Sequence, residues 1–279
     1  MPDIAFVNGL FGPLADAKVS IEDRGFQFGD GVYEVIRTYG GRPFELDAHL
    51  ARLDRSAQAL DLRQPYSHQE WSRHILEGLK RAAYSDAKIY LQVTRGVAPR
   101  DHVYRGDVAP TVVMTIRELG PLSQAVQGAG VEAITIADIR WGRCDIKSVN
   151  LLANVLARQQ AAQAQVFEAI LVKDGEVTEG AVSNVMLVRN QTVITTPEGP
   201  RILSGVTRSV VLKLAQRGGL AVQERPVFQQ ELYEAEEVFL TGTTVEVVGV
   251  VRVDGKSIGA GVPGPVTQRL AKCFTEQTG

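Results

Sequence analysis

The segment RCDIKSVNLL sets Lys147 between Ile146 and Ser148, just ahead of an apolar, helix-like run. The chain has only eight lysines, and this one stands in semi-apolar company. An amine that attacks a carbonyl carbon must shed its proton, and partial burial or neighbouring cations favour that loss. Arg140 and Arg143 lie close in sequence, and Ile139, Trp141 and Ile146 supply apolar mass. The plain alternative is a surface lysine at a strand end.

Three further clusters have side chains suited to chemistry. In VTEGAVSNV, Glu179 sits at a strand end beside Gly180, where backbone can pass close to a ligand. A carboxylate there would keep a ring nitrogen protonated; an acidic turn residue is the alternative. In RILSGVTRSVV, Ser204, Gly205 and Thr207 precede or open a helix. Free N–H groups and hydroxyls at that positive end suit a phosphate, although simple N-capping has the same composition. TGTT, Thr241 to Thr244, offers further hydroxyls to the same anion. In VTRGVAPRDH, Pro99 stiffens a loop that presents Arg100 and His102. Arginine grips a carboxylate bidentately, but a solvated polar loop has the same residues. Arg52 shares a helix face with His49, as an anion ligand or a surface arginine, and His68 and His74 are ordinary helix or surface residues.

The elements that must position these groups follow from periodicity. Strands are expected at Ile4–Val7, Val32–Gly40, Lys88–Gly96, Thr111–Ile116, Val131–Ile139, Glu168–Val172, Asn184–Val188, Val193–Thr195, Val238–Thr241 and Val247–Val253. Asp47 reads as the N-cap of a helix carrying Leu50, Leu53, Ala57 and Leu60, and Ser67 opens a capping box ahead of Trp71, Ile75 and Leu79. Helices are also expected over Asn150–Gln163 and Thr207–Arg217. The stretch Glu118–Gly130, rich in Gly, Pro, Ser and Gln, is the best linker. The fold class is therefore mixed α/β (α+β) in two domains. Residues 1–117 form a smaller N-terminal domain, 118–130 a linker and 131–279 a larger C-terminal domain carrying Lys147, with the active site in the interdomain cleft.

Bulk properties narrow the functional classes. The chain has 279 residues, 44% of them hydrophobic and 22% charged, so it can bury a sizeable core. Its net charge of −2 argues against nucleic acid as a partner. No apolar run is long enough for a membrane span, and the N-terminus has no basic region followed by an apolar core. Two cysteines, Cys144 and Cys273, form no metal-ligand pattern, and a reduced, cytoplasmic protein is expected. The motifs of zinc proteases, serine hydrolases and P-loops are absent. Gly259, Gly261 and Gly264 match G-x-G-x-x-G, but Pro263 and the C-terminal position leave no room for a dinucleotide-binding unit.

A lysine, a carboxylate and a phosphate cradle together are what pyridoxal 5′-phosphate requires: an amine for its aldehyde, a partner for its ring nitrogen and a seat for its phosphate. The sequence resembles the fold-type IV pyridoxal-phosphate enzymes, the branched-chain aminotransferase-like class, and within it the D-amino-acid transaminases. DRGFQFGDGVYEVIRTY, HLARL, VTRGVAPRDH, DIRWGRCDIKSVNLL, EAILVKDGEVTEGAVSNV, LSGVTR and FLTGTT carry the resemblance, in order, over nearly the whole chain. It implies that Lys147 holds the cofactor and shuttles the proton, and that Glu179 faces the pyridine nitrogen. It implies that Arg52, Val206, Thr207 and Thr243 take the phosphate. Tyr33, Arg100 and His102 would meet the substrate carboxylate, the last two across a homodimer interface. The implied reaction passes the amino group of a D-alanine-like amino acid to a 2-oxo acid such as 2-oxoglutarate or pyruvate, by a ping-pong route. The rivals are an L-branched-chain aminotransferase, a 4-amino-4-deoxychorismate lyase of the same fold, and a non-catalytic binding protein. Two places depart from the family pattern: Ala181 and Val182 follow the TEG where hydroxylated residues are common, and Gly242 stands where a serine is common.

Overall fold

The computed structural model describes residues 3–120 and 123–278. The chain divides into two compact units, Met1–Pro121 with Ile146–Asn150, and Leu122–Asp145 with Leu151–Gly279.

The first unit is built on six strands: β1 (Ile4–Val7), β2 (Leu10–Pro13), β3 (Gly31–Tyr39), β4 (Arg42–Pro43), β5 (Ala87–Thr94) and β6 (Thr111–Glu118). They hydrogen-bond in the order β2-β1-β6-β5-β3-β4, and every pairing is antiparallel. Three helices join them: α1 (Arg24–Phe28), α2 (Leu46–Ala59) and α3 (His68–Ala82). Alternation along β3 and β5 turns Val32, Ile36, Ile89 and Leu91 into the core, where Leu50 and Leu53 of α2 and Trp71 and Ile75 of α3 meet them. The capping box is as expected: Ser67 accepts from Glu70 N, and the Glu70 carboxylate accepts from Ser67 N. Such a cap contributes about 1 kcal/mol. Asp47 is not the N-cap of α2. Glu45 holds that place with a φ of 51°, and Asp47 lies in the first turn. Helix α1, at five residues, is too short to leave a periodic pattern and was not expected.

The second unit contains α4 (Gln124–Ala129), β7 (Val131–Ala137), α5 (Leu152–Gln163), β8 (Glu168–Lys173), β9 (Glu176–Gly180), β10 (Asn184–Arg189) and β11 (Thr192–Thr195). After these come α6 (Val206–Arg217), β12 (Ala221–Glu224), β13 (Val227–Phe228), α7 (Gln229–Glu234), β14 (Glu237–Gly242), β15 (Glu246–Val253), β16 (Lys256–Ser257) and α8 (Pro265–Thr278). The strands form one mixed sheet in the order β12-β11-β10-β14-β15-β7-β8-β9-β13, with β16 beside β15. Strands β7 and β8 run parallel, as do β7 and β15, so the sheet mixes both senses. Val185, Leu187, Leu240, Val248 and Val250 belong to its main core.

Two expectations need correction here. The proposed linker is not wholly irregular, because α4 occupies Gln124–Ala129; Pro121 and Leu122 lie outside the described residues. The segment Ile146–Asn150, expected with the C-terminal part, groups with the first unit. Its backbone explains why: Tyr33 N donates to Lys147 O at 2.9 Å and Val149 N to Gly31 O at 3.0 Å, while Ile146 enters the first unit's core. The glycines of the rejected dinucleotide motif lie just before α8, with Gly259 and Gly261 at positive φ. Among the described residues no helix is long and apolar enough to cross a membrane.

Candidate active site

Lys147 is pinned along the edge of β3. Its carbonyl accepts from Tyr33, its own N–H donates to Ser56 Oγ at 3.1 Å, and Ser148 forms an antiparallel bridge with Val32. With both sides of the peptide fixed, the side chain has a defined origin, and Nζ stands 4.2 Å above the Tyr33 ring. An ammonium or amine in that place meets the negative face of the ring. Tyr33 in turn packs on Tyr90 at 5.6 Å. Burial, then Tyr33, push the Tyr90 hydroxyl up to about 12, so it remains a donor, to Gln92 Oε1 at 2.5 Å.

The surroundings expected for this lysine differ from those found. Ile139 and Trp141 are exposed, and only Ile146 is buried. The charges of Arg140 and Arg143 are matched by carboxylates: Asp138 and Glu179 for the first, Asp145 at 2.9 Å for the second.

On the core face of β3 lies a buried charge cluster. Glu34 projects from the core face of β3, between Val32 and Ile36, and is completely buried. Arg52 clasps it bidentately, Nε to Oε1 at 2.7 Å and Nη2 to Oε2 at 2.8 Å, and His49 Nδ1 lies 2.7 Å from Oε2. Burial pushes the Glu34 carboxyl up, but Arg52 and His49 outweigh it and hold it at about 2. Burial pushes His49 down against the pull of Glu34, with Arg52 and Lys147 adding to the depression. Arg52 and His49 thus share a helix face, as expected, but both are interior residues.

In the second unit Glu179 is the penultimate residue of β9, with both carboxylate oxygens engaged. Arg140 Nη1 donates to Oε1, Asn184 Nδ2 to Oε2 at 3.0 Å, and Leu203 N reaches both oxygens at 3.1 Å. Asp138 fixes Arg140 from behind through Nε and Nη2 at 2.9 and 2.8 Å, and also accepts from Thr178 Oγ1 at 2.8 Å. Burial opposes charge on both, yet pairing keeps Asp138 lowered and Arg140 raised. The result is a carboxylate of fixed orientation inside a nest of donors. The close space at Gly180 is not left for a ligand: an added Cβ there would lie 2.1 Å from Ser183 Oγ.

Helix α6 begins at Val206 behind an N-cap, Gly205, that offers no side-chain acceptor. Gly205 thus gives the first-turn N–H groups no side-chain cap, and the buried Thr207 stands at this positive end of the helix. Asn184 also donates to Leu203 O at 3.0 Å, so one amide links the Glu179 carboxylate to the approach to α6. Thr243 stands in the turn after β14, half-buried, and Thr241 Oγ1 just before it is buried with no hydrogen-bond partner among the described residues.

Arg100 and His102 are both exposed on the loop after β5 and are brought together on one ring. The Arg100 guanidinium lies 5.0 Å from the Phe28 centroid, and the His102 ring 5.4 Å from it.

The Amino-transferase class IV family matches residues 31–253. The chain belongs to the class IV aminotransferases. This class IV aminotransferase is 46% identical over 263 residues to a D-alanine aminotransferase of Bacillus licheniformis, a match spanning 94% of this chain and 93% of that one. It is 43% identical over 275 residues to a D-alanine aminotransferase of Listeria monocytogenes, spanning 97% and 94%. Its fold is similar to that of the Escherichia coli branched-chain amino acid aminotransferase, with a TM-score of 0.92 and 27% identity over 99% of this chain and 94% of that one. A branched-chain amino acid aminotransferase of Thermoproteus uzoniensis, solved with norvaline, gives a TM-score of 0.88 at 26% identity, over 99% and 94%.

Several residues of this aminotransferase's candidate site escaped the sequence reading. Glu34 was visible in principle, since a charge on the apolar face of a strand requires a buried partner. Asn184 and the pairing of Arg140 with Glu179 carried no local signal.

Proposed function

We propose that this class IV aminotransferase is a D-amino-acid transaminase that uses pyridoxal 5′-phosphate and acts as a homodimer. The observation that carries the reading is Arg100 and His102 on one ring, in a chain whose near-full-length relatives are named D-alanine aminotransferase. A guanidinium and an imidazole side by side suit a substrate carboxylate, with Tyr33 as a third contact and the loop serving the neighbouring subunit's site.

The residues present fit the cofactor. The start of α6 at Val206 and Thr207, where Gly205 gives no side-chain cap, the Thr243 turn and the buried Thr241 hydroxyl suit a phosphate; Arg52, the further phosphate ligand that the family resemblance implies, has its charge matched by Glu34. Glu179, an acceptor held rigid by Arg140 and Asn184, suits a protonated ring nitrogen. When bound, pyridoxal 5′-phosphate supplies an aldehyde to take up the amino group and an electron-poor ring to absorb charge.

The chain's own residues then do the rest. Arg100, His102 and Tyr33 hold the amino acid by its carboxylate. Lys147 Nζ would take the proton from the substrate's Cα and pass it to the carbon that carried the cofactor's aldehyde, as base and then acid. Glu179 keeps its orientation throughout, held by Arg140, Asn184 and the Leu203 N–H. A 2-oxo acid such as pyruvate or 2-oxoglutarate accepts the amino group in the second half-reaction.

The test is the absorption spectrum of the reconstituted enzyme before and after D-alanine or L-leucine. A cofactor band shifted by D-alanine alone supports the reading. A shift with L-leucine alone makes the enzyme an L-branched-chain aminotransferase. Pyruvate released from 4-amino-4-deoxychorismate without an oxo-acid acceptor makes it a lyase. A protein that takes up no cofactor is a binding protein.

A further inference from the structure

We propose that Arg24 and Phe28, on the short helix α1, are positioning residues that set the affinity for the substrate carboxylate by fixing the loop that carries Arg100 and His102. The inference rests on the reading of those two residues as carboxylate ligands.

The loop has little structure of its own. Residues 99–104 belong to no helix or strand, and Arg100 and His102 are both exposed, so packing does not define their pose. What holds the loop comes from α1. Arg24 Nη1 donates to the carbonyl of Asp101, and Nη2 to the carbonyl of His102 at 3.4 Å. These two carbonyls flank the Cα of His102. Holding both orients the peptide planes on either side, and with them the direction in which the imidazole leaves the backbone. The same guanidinium lies 4.8 Å from the Phe28 centroid. Phe28 therefore carries Arg24 together with Arg100 and His102.

Arg24 can do this because it is itself immobilised. It is only 4% exposed, its Nε donates to Asp30 Oδ2 at 2.9 Å, and its backbone N–H donates to Gly96 O at 2.8 Å. Asp30 Oδ2 also accepts from Arg95 Nε at 2.8 Å, and Arg95 reaches the carbonyls of Leu60 and Asp61 at 2.7 and 2.9 Å. The loop is thereby referenced to the end of α2 through one carboxylate. Phe28 is not part of the first unit's apolar core, so its ring is available to the loop.

Donors ordered in advance bind with less loss of conformational freedom. Loosening them weakens carboxylate binding. The proton moves elsewhere, at Lys147 Nζ, so the turnover step is spared.

The experiment compares wild-type holoenzyme with Arg24→Met, Arg24→Lys, Phe28→Leu and Arg100→Ala. It measures KM and kcat for D-alanine, and by calorimetry the Kd for propionate, a carboxylate with no amine. Arg24→Met and Phe28→Leu are expected to raise KM and Kd about tenfold, with kcat within about twofold, and Arg24→Lys to recover part of the loss. If Arg100→Ala raises both constants while Arg24→Met and Phe28→Leu leave them unchanged, the inference is overturned and the carboxylate reading stands. If Arg100→Ala changes neither, or the wild type ignores D-alanine, that reading fails and the inference with it. A fall in kcat at constant KM overturns it too, since that is the mark of a general structural role. Should Arg24→Met fail to fold, Phe28→Leu decides.

Discussion

Asn184 Nδ2 lies 3.0 Å from Glu179 Oε2, and the same nitrogen lies 3.0 Å from Leu203 O. One side chain thus ties the carboxylate proposed for the ring nitrogen to the chain entering the proposed phosphate cradle. The Leu203 N–H, which donates to both Glu179 oxygens at 3.1 Å, makes the same tie from the backbone.

That link makes Gly205 sensitive. A Cβ added there would fall 2.0 Å from Asn184 Oδ1. Gly205→Ala must push Asn184 off Glu179 or displace the start of α6. We expect it to cost about 1–3 kcal/mol in the apo protein and to weaken cofactor retention. Denaturant unfolding and the cofactor absorbance left after gel filtration measure the two. No change in either would show that Asn184 tolerates the crowding.

Glu34 gives a pH signature. Its carboxyl is held at about 2, below the usual carboxylate range, so its contribution to stability is fully present above that range and lost as pH falls through about 2. Glu34→Gln leaves Arg52 without its bidentate partner, at a cost of about 3 kcal/mol near neutral pH. The gap between wild type and variant is expected to be widest above about pH 5 and to narrow below it. Unfolding midpoints across that range check it, and a constant gap would contradict it.

Lys147→Ala removes the proton carrier but leaves its backbone pairing with Tyr33 and Ser56 intact. Turnover is expected to fall by a factor of about 10²–10⁴ or more, with unfolding free energy changed by less than about 1 kcal/mol. Wild-type turnover in a folded variant would remove Lys147 from the chemistry.

Glu237 caps α8 from a neighbouring strand: Oε1 accepts from Val266 N at 2.9 Å and Oε2 from Thr267 N at 2.7 Å. Glu237→Ala strips both acceptors from buried N–H groups. A loss of about 1–3 kcal/mol is expected, read as a lower thermal midpoint with kcat unchanged.

Periodicity and caps made most strands and the helices α2, α3, α5 and α6 legible, because each shows one apolar face or a local cap. Lys147, Glu179 and the α6 start were legible as side chains suited to chemistry. Their partners were not. Arg52 meets Glu34 across 18 positions, Arg24 reaches Asp101 across 77, and neither distance leaves a mark in any sequence window. Helix α8 was missed because a Gly- and Pro-rich stretch precedes it and its cap comes from Glu237, far back in the chain. Hydrophobic period says which face is buried; it does not say which charges meet there.

The segment Ile146–Asn150 belongs to the first unit, although Leu122–Asp145 before it and Leu151 onward belong to the second. During synthesis, N-terminal units begin to fold as they emerge. Here the earlier unit cannot be finished until the ribosome has made part of the later one, because Tyr33, Gly31 and Ser56 wait for backbone groups at Lys147 and Val149. The amine is therefore made last, after all six strands of the sheet on which its backbone is seated.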